Sequence, residues 1–84
     1  MAFPNPVRPD YTGTVLIRGL INNSIVKVAD PSGNVVWETK AEGGQVEWPI
    51  TAFSESKVAP GVYLVYASSE DAEAKVVSKI LIMR

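Results

Sequence analysis

The sequence predicts an all-β domain, either a sandwich or a barrel, from three observations. Short runs in which apolar and polar residues alternate recur about every ten positions, as at 24–29, 35–40 and 45–48. Turn-forming residues separate these runs, and residues 30–34, Asp-Pro-Ser-Gly-Asn, suit the tight turn of a hairpin. No apolar pattern with the helical period persists for the roughly 12 positions that a convincing helix needs.

The strongest predicted element is an antiparallel hairpin in the last third of the chain, residues 57–84. Two β-branched runs, 62–67 and 76–83, flank a polar segment, 68–75, that is expected to be a long loop. Lys79 interrupts the terminal run, and a lysine on an edge strand discourages pairing with other chains. The hairpin is predicted to complete the core through its apolar side chains Val62, Leu64, Val76, Ile80 and Ile82.

The upstream strands are predicted from the same alternation. Residues 14–18, 24–29, 35–40 and 45–48 form strands. Val15 and Ile17 share one face of their strand, Val26 and Val28 share one face of theirs, and Val46 and Trp48 point inward. Residues 3–7 are expected to be an edge strand, because prolines there remove backbone donors. Residues 50–59 are predicted to be an irregular crossover or a single helical turn, anchored to the core by Ile50, Phe53 and Val58.

Composition limits the chemistry that this chain can perform. Its 84 residues make one domain, and they include neither cysteine nor histidine, which excludes disulfides, thiolate or histidine metal sites and a Ser-His-Asp triad. The 8 basic and 9 acidic residues are interspersed, so we expect no nucleic-acid partner. No apolar run approaches the roughly 20 residues of a membrane-spanning helix.

Three aromatic residues, Trp37, Trp48 and Tyr66, are candidates for stacking on sugar rings in a glycan-binding module. This function requires at least two of the rings to be exposed side by side, and the alternative is packing in the core. Glu38 and Glu47, on neighbouring predicted strands, are expected to be exposed strand residues rather than an acid/base pair. We therefore predict no catalytic residue, no metal site and no cofactor.

Tyr63 has a different predicted role. It follows the Pro-Gly turn at 60–61 at the start of a strand, a position typical of a tyrosine corner, in which the hydroxyl bonds to upstream backbone.

Four phrases occur in order along the chain: Phe3-Pro4-Asn5-Pro6, Asp30-x-x-Gly33, Gly61-x-Tyr63, and Lys79 in the last strand. Together they resemble the C-terminal sorting domains of the type IX secretion system in Bacteroidetes. Residues 26–44 and 60–68 are especially similar to the terminal domain of PorZ-like proteins, which follows β-propellers. The resemblance implies a seven-stranded antiparallel immunoglobulin-like β-sandwich with Greek-key connections.

The resemblance also implies a domain organisation. Residues 1–84 are expected to be a single C-terminal domain excised from a larger exported protein, with residues 1–2 contributed by a start codon and a vector.

The same resemblance implies a non-enzymatic sorting or surface-attachment function at the outer membrane, or in the periplasm during transit. The expected partners are secretion and sortase proteins of the outer membrane, and anionic lipopolysaccharide. The alternatives are a glycan-binding module and a structural spacer after propeller domains. The apolar terminal strand is also expected to permit a strand-exchanged homodimer. The resemblance assigns recognition to the residues of its four phrases, which are Phe3, Pro4, Asn5, Pro6, Asp30, Gly33, Gly61, Tyr63 and Lys79.

Overall fold

The structure, a computed structural model, describes residues 2–53, 56–69 and 72–83. Its strands are β1 (Ala2–Phe3), β2 (Val15–Ile17), β3 (Ile25–Ala29), β4 (Val35–Lys40), β5 (Val46–Trp48), β6 (Gly61–Ser69) and β7 (Ala72–Ile82). A smaller sheet has the order β1-β2-β5 and a larger sheet the order β4-β3-β6-β7, and all neighbouring strands are antiparallel. The predicted seven-stranded immunoglobulin-like sandwich is therefore confirmed.

The core lies between the two sheets. On β2, β3 and β5 the apolar residues predicted to share a face of their strand are all buried, namely Val15, Ile17, Val26, Val28, Val46 and Trp48. Trp48 is fully buried, and its Nε1 donates a hydrogen bond of 3.0 Å to the carbonyl oxygen of Thr51. Because a buried indole N–H needs an acceptor, this bond fixes the start of the crossover that follows β5.

Tyr63 forms the predicted tyrosine corner. Its hydroxyl donates a 2.6 Å hydrogen bond to the carbonyl oxygen of Ala59, four residues upstream. Its ring lies 5.6 Å from that of Trp48, with an interplanar angle of 51°. The side chain thus joins the turn before β6 to the centre of the core.

Replacing Tyr63 with phenylalanine is expected to lower the free energy of unfolding by about 1 kcal/mol, since the ring is kept and the bond to Ala59 is lost. The shift in the midpoint of urea denaturation measures this loss. Tyr66→Phe is the control, because the Tyr66 hydroxyl makes no hydrogen bond within the part of the chain that the structure describes. Equal shifts for the two variants would contradict the structural role of the Tyr63 hydroxyl.

The prediction of a long loop at 68–75 is wrong, because β6 continues to Ser69 and β7 begins at Ala72. Residues 70 and 71 lie outside the described residues. The hairpin pairs through its polar segment because ladder hydrogen bonds need no apolar side chains, and residues 73–76 are exposed. Register shifts between Val65 and Tyr66 and between Ala67 and Ser69 accompany this extension.

The core face of β6 also differs from the prediction. Tyr63 and Val65 are buried, whereas Val62 is 46% exposed and Leu64 is half-buried. On β7, Ile80 and Ile82 are buried as predicted, but Val76 is exposed. The prediction failed because β6 is apolar at successive positions, so alternation does not indicate which face points inward.

The predicted edge strand at 3–7 is not continuous. β1 ends at Phe3, and Val7 forms an isolated parallel bridge to Ile82 of β7. The segment therefore crosses from the smaller sheet to the edge of the larger one, with Pro4 and Pro6, which lack backbone donors, between the two pairings.

The crossover at 50–59 contains no helix in its described part, 50–53 and 56–59. Ile50 and Val58 are buried, as predicted, but Phe53 is 64% exposed. A bridge between Thr51 and Lys57 closes this stretch into a loop, which leaves Phe53 away from the core. No helix within the described residues is long and apolar enough to cross a membrane.

Candidate functional site

Asp30 and Gly33 shape the turn between β3 and β4. The Asp30 carboxylate accepts hydrogen bonds from the backbone N–H groups of Ser32 (3.0 Å) and Asn34 (2.9 Å). The Gly33 N–H donates to the Asp30 carbonyl oxygen at 2.9 Å, and Gly33 has a φ of 90° that favours glycine. These two predicted recognition residues therefore have structural roles that account for their presence.

Gly61, the first residue of the Gly-x-Tyr phrase, lies against this turn. It has a φ of 150°, and a Cβ atom there would lie 2.6 Å from Cγ of Pro31. The turn after β3 thus packs directly on the start of β6, where Gly61 is paired with Ile82 of β7. The Asp-x-x-Gly and Gly-x-Tyr phrases meet at one end of the larger sheet.

Gly61→Ala is expected to lower the free energy of unfolding by about 2 kcal/mol, because it adds both the backbone strain and the contact with Pro31. Gly19→Ala is the matched control, since Gly19 has a φ of 77° and nothing lies within 4 Å of the position that the alanine methyl group would take. Urea denaturation of both variants shows whether Gly61→Ala costs more than an alanine at a glycine of positive φ in open space. Equal losses would show that the contact with Pro31 costs nothing.

The Phe-Pro-Asn-Pro phrase contacts the terminal strand. Asn5 Nδ2 donates to the carbonyl oxygen of Lys79 at 2.7 Å, and Asn5 Oδ1 accepts from the N–H of Leu81 at 3.0 Å. Val7 continues the pairing: its N–H donates to the Leu81 carbonyl oxygen and its own carbonyl oxygen accepts from the Met83 N–H, both at 2.7 Å. We call Asn5 and Val7 the edge clamp.

The remaining residues of this phrase make less use of their side chains. Phe3 pairs through its backbone with Leu16 of β2, and its ring is exposed. Pro4 is half-buried and Pro6 is exposed. Among the four residues Phe3 to Pro6, Asn5 therefore has the most specific contacts to the terminal strand.

The Lys79 side chain is exposed on the outer face of the larger sheet. Its register partner on β6 is Leu64, which is in turn opposite Ala29 of β3, so Leu64 and Lys79 share that face. Within the described residues, Lys27 and Glu38 form an ion pair on this sheet at 3.9 Å, and Lys79 forms no ion pair. Unlike the turn residues, Lys79 makes no bond through its side chain to any other residue that the structure describes.

Apolar side chains surround Lys79 on this outer face. Val62 and its register partner Leu81 are 46% and 41% exposed, and Leu64 beside them is half-buried. A strand with apolar residues on both faces is typical of a sheet that is covered on both sides. We call Val62, Leu64, Leu81 and Lys79 the outer-face patch. The patch was not predicted from the sequence, although the unbroken apolar run of β6 was a signal for it.

The aromatic residues proposed for glycan stacking do not share a face. Trp48 is fully buried in the core. Trp37 is opposite Val28 and packs against the core, whereas Tyr66 is opposite Lys27 on the outer face. The arrangement of two exposed rings side by side, which the glycan-binding hypothesis required, is therefore not formed by these three residues.

Glu38 and Glu47 are exposed strand residues, as predicted, and they lie on consecutive strands that belong to different sheets. Glu38 lies on β4 of the larger sheet and Glu47 on β5 of the smaller sheet. Both are exposed, and Glu38 faces Lys27. In the described part of the chain, no three acidic residues come together in a group suited to a metal ion.

Comparison with known proteins relates the whole domain to a secretion component. No protein-family model and no curated protein matches the chain. Among solved structures, it is similar to PorZ of Porphyromonas gingivalis, with 29% sequence identity and a TM-score of 0.87 over 100% of this chain. The chain spans 11% of the length of that protein. PorZ is described as an essential bacterial surface component of the type IX secretion system.

Proposed function

We propose that this chain is a non-enzymatic sorting or surface-attachment domain that directs a parent protein through the type IX secretion system. The observation that carries the proposal is the similarity of the entire chain to part of PorZ, at 29% identity and a TM-score of 0.87. The ordered phrases from Phe3 to Lys79 support it independently. The proposed location is the outer-membrane surface, or the periplasm during transit.

The proposed recognition surface is the outer-face patch. A partner that covers Val62, Leu64 and Leu81 removes apolar surface from water, which contributes about 25 cal/mol for each Å². Lys79 then specifies a partner with a carboxylate at the matching position, since complementary charge gives specificity and speeds association. The proposed partners are outer-membrane secretion and sortase proteins, and the lysine also suits the anionic groups of lipopolysaccharide.

The absence of catalysis is part of the proposal. The sequence contains no histidine or cysteine to act as a base or thiolate nucleophile at neutral pH. The carboxylates that could have acted together, Glu38 and Glu47, lie in different sheets.

The test is to fuse residues 1–84 to a secreted reporter in a host that has a type IX system, and to measure the reporter at the cell surface. We expect surface delivery with this domain and periplasmic retention with an unrelated immunoglobulin-like domain. A structural spacer predicts retention in both cases, which would refute sorting. Deleting residues 75–84 is a poor test, because it also removes the core residues Ile80 and Ile82. Single substitutions on the patch separate recognition from folding.

A further inference from the structure

We infer that Asn5 positions the terminal strand for recognition, and that the partner binds the outer face of this strand rather than its edge. The inference rests on the proposed function, because it concerns how Lys79 is presented. Asn5 and Lys79 are 74 positions apart in the sequence, yet a 2.7 Å hydrogen bond joins them. The recognised feature is thus a composite of the two ends of the domain.

The carboxamide of Asn5 acts as a substitute for a backbone peptide group. It donates to one residue of β7 and accepts from another, Lys79 and Leu81, as a neighbouring strand would. In a β-strand the N–H and C=O groups of alternate residues point to opposite sides. The backbone N–H and C=O groups of residues 79, 81 and 83 therefore point away from β6. The clamp forms hydrogen bonds with four of them: the Lys79 C=O, the Leu81 N–H and C=O, and the Met83 N–H.

The clamp excludes an added strand along this stretch. An open strand edge is a template for pairing with another chain, and β7 is the edge strand of the larger sheet. From Lys79 to Met83 that edge is already occupied by Asn5 and Val7. The face remains accessible, since Leu81 and the Lys79 side chain are exposed. A partner with an apolar, carboxylate-bearing surface fits this face without displacing the clamp.

The clamp also holds the backbone from which Lys79 projects. The Lys79 carbonyl oxygen accepts a hydrogen bond from Asn5 on one side of the strand. On the other side, Leu64 of β6 is the register partner of Lys79. If the clamp opens, the end of β7 loses its outer hydrogen bonds, and Lys79 is presented on a strand that frays. Asn5 is therefore expected to matter for recognition although it need not touch the partner.

Asn5→Asp is the decisive substitution. Aspartate keeps an acceptor for the Leu81 N–H but cannot donate to the Lys79 carbonyl oxygen, and it places a carboxylate beside that oxygen. Asn22→Asp is the matched control. Asn22 Oδ1 accepts from the Gly43 N–H at 2.8 Å, a bond that an aspartate preserves, and the Asn22 side chain donates no hydrogen bond to the described residues. Both variants change the same amide to the same acid in exposed positions.

The first measurement is amide hydrogen exchange of the 84-residue chain by nuclear magnetic resonance. In Asn5→Asp we expect the Leu81 and Met83 amides to exchange about tenfold faster or more, with a smaller change at Ile80, whose N–H points towards β6. In Asn22→Asp all three rates should stay close to those of the original chain. Unchanged rates for Leu81 and Met83 in Asn5→Asp would show that the bond from Asn5 to the Lys79 carbonyl oxygen does not hold the clamp closed, which would overturn the positioning role of Asn5. Sedimentation of the same samples shows whether an opened edge promotes strand-exchanged dimers.

The second measurement is surface delivery of the reporter fusion, in which Asn5→Asp should reduce delivery severalfold while Asn22→Asp does not. Normal delivery by an Asn5→Asp variant whose exchange is accelerated would refute the positioning role. The proposed function would survive that result if Lys79→Glu still blocked delivery. Normal delivery by Lys79→Glu would instead refute recognition through Lys79, and with it the role of Asn5. Periplasmic retention of the reporter fused to the unaltered domain would refute the proposed function itself.

Discussion

Replacing Trp48 with alanine is expected to remove most of the free energy of unfolding of the domain at 25 °C. The side chain is fully buried, donates to Thr51 and packs against the ring of Tyr63. Truncating such a side chain costs about 3–5 kcal/mol, whereas a domain of this size has a total stability of roughly 5 kcal/mol or somewhat more. Far-ultraviolet circular dichroism with urea denaturation measures the loss without relying on tryptophan fluorescence.

The control for this prediction is Phe53→Ala. Phe53 is an aromatic residue of the nearby crossover, but it is 64% exposed, so its removal should change the free energy of unfolding by no more than about 0.5 kcal/mol. A Trp48→Ala variant that unfolds at the same urea concentration as Phe53→Ala would show that the core does not depend on Trp48.

The sequence was sufficient for the fold where local chemistry and alternation agree. Val26 and Val28 alternate with Lys27, and the structure buries both valines as expected. The Asp30 turn and the Tyr63 corner were also predicted, because each depends on residues that are close together in the sequence. These features need no knowledge of long-range contacts.

Prediction failed where the answer depends on a distant partner. Val62 and Leu64 have the same apolar character as Tyr63 and Val65, and only the opposite sheet decides which pair is buried. Phe53 was expected to anchor the crossover, but the bridge that closes this loop leaves its ring exposed. Neither result follows from periodicity, since both depend on which surface lies opposite.

The candidate site was predicted as a set of residues but not as an arrangement. The phrases containing Asn5 and Lys79 were identified, yet no spacing rule indicates a side-chain bond across 74 positions. The structure gives Asp30, Gly33, Gly61 and Tyr63 roles in turns and packing, so their presence needs no partner to explain it. The recognition that we propose therefore rests on residues without such roles in the described part of the chain, above all Lys79.

The charge reversal Lys79→Glu is expected to reduce surface delivery of the reporter at least about tenfold, because a close pair of opposite charges at an interface contributes about 1.5 kcal/mol or more and each 1.4 kcal/mol is a factor of ten. The fold should be unaffected, since the Lys79 side chain is exposed and forms no ion pair within the described residues. Surface substitutions of this kind change stability by no more than about 0.5 kcal/mol.

Lys40→Glu is the matched control, because Lys40 is an exposed lysine on the same outer face, on the strand at the opposite edge of the sheet. The two variants have the same net charge, so a general effect of charge on export would lower both equally. Loss of delivery in Lys79→Glu alone, with unchanged urea midpoints, is the result that recognition at the outer-face patch requires. Normal delivery by both variants would mean that recognition does not use Lys79.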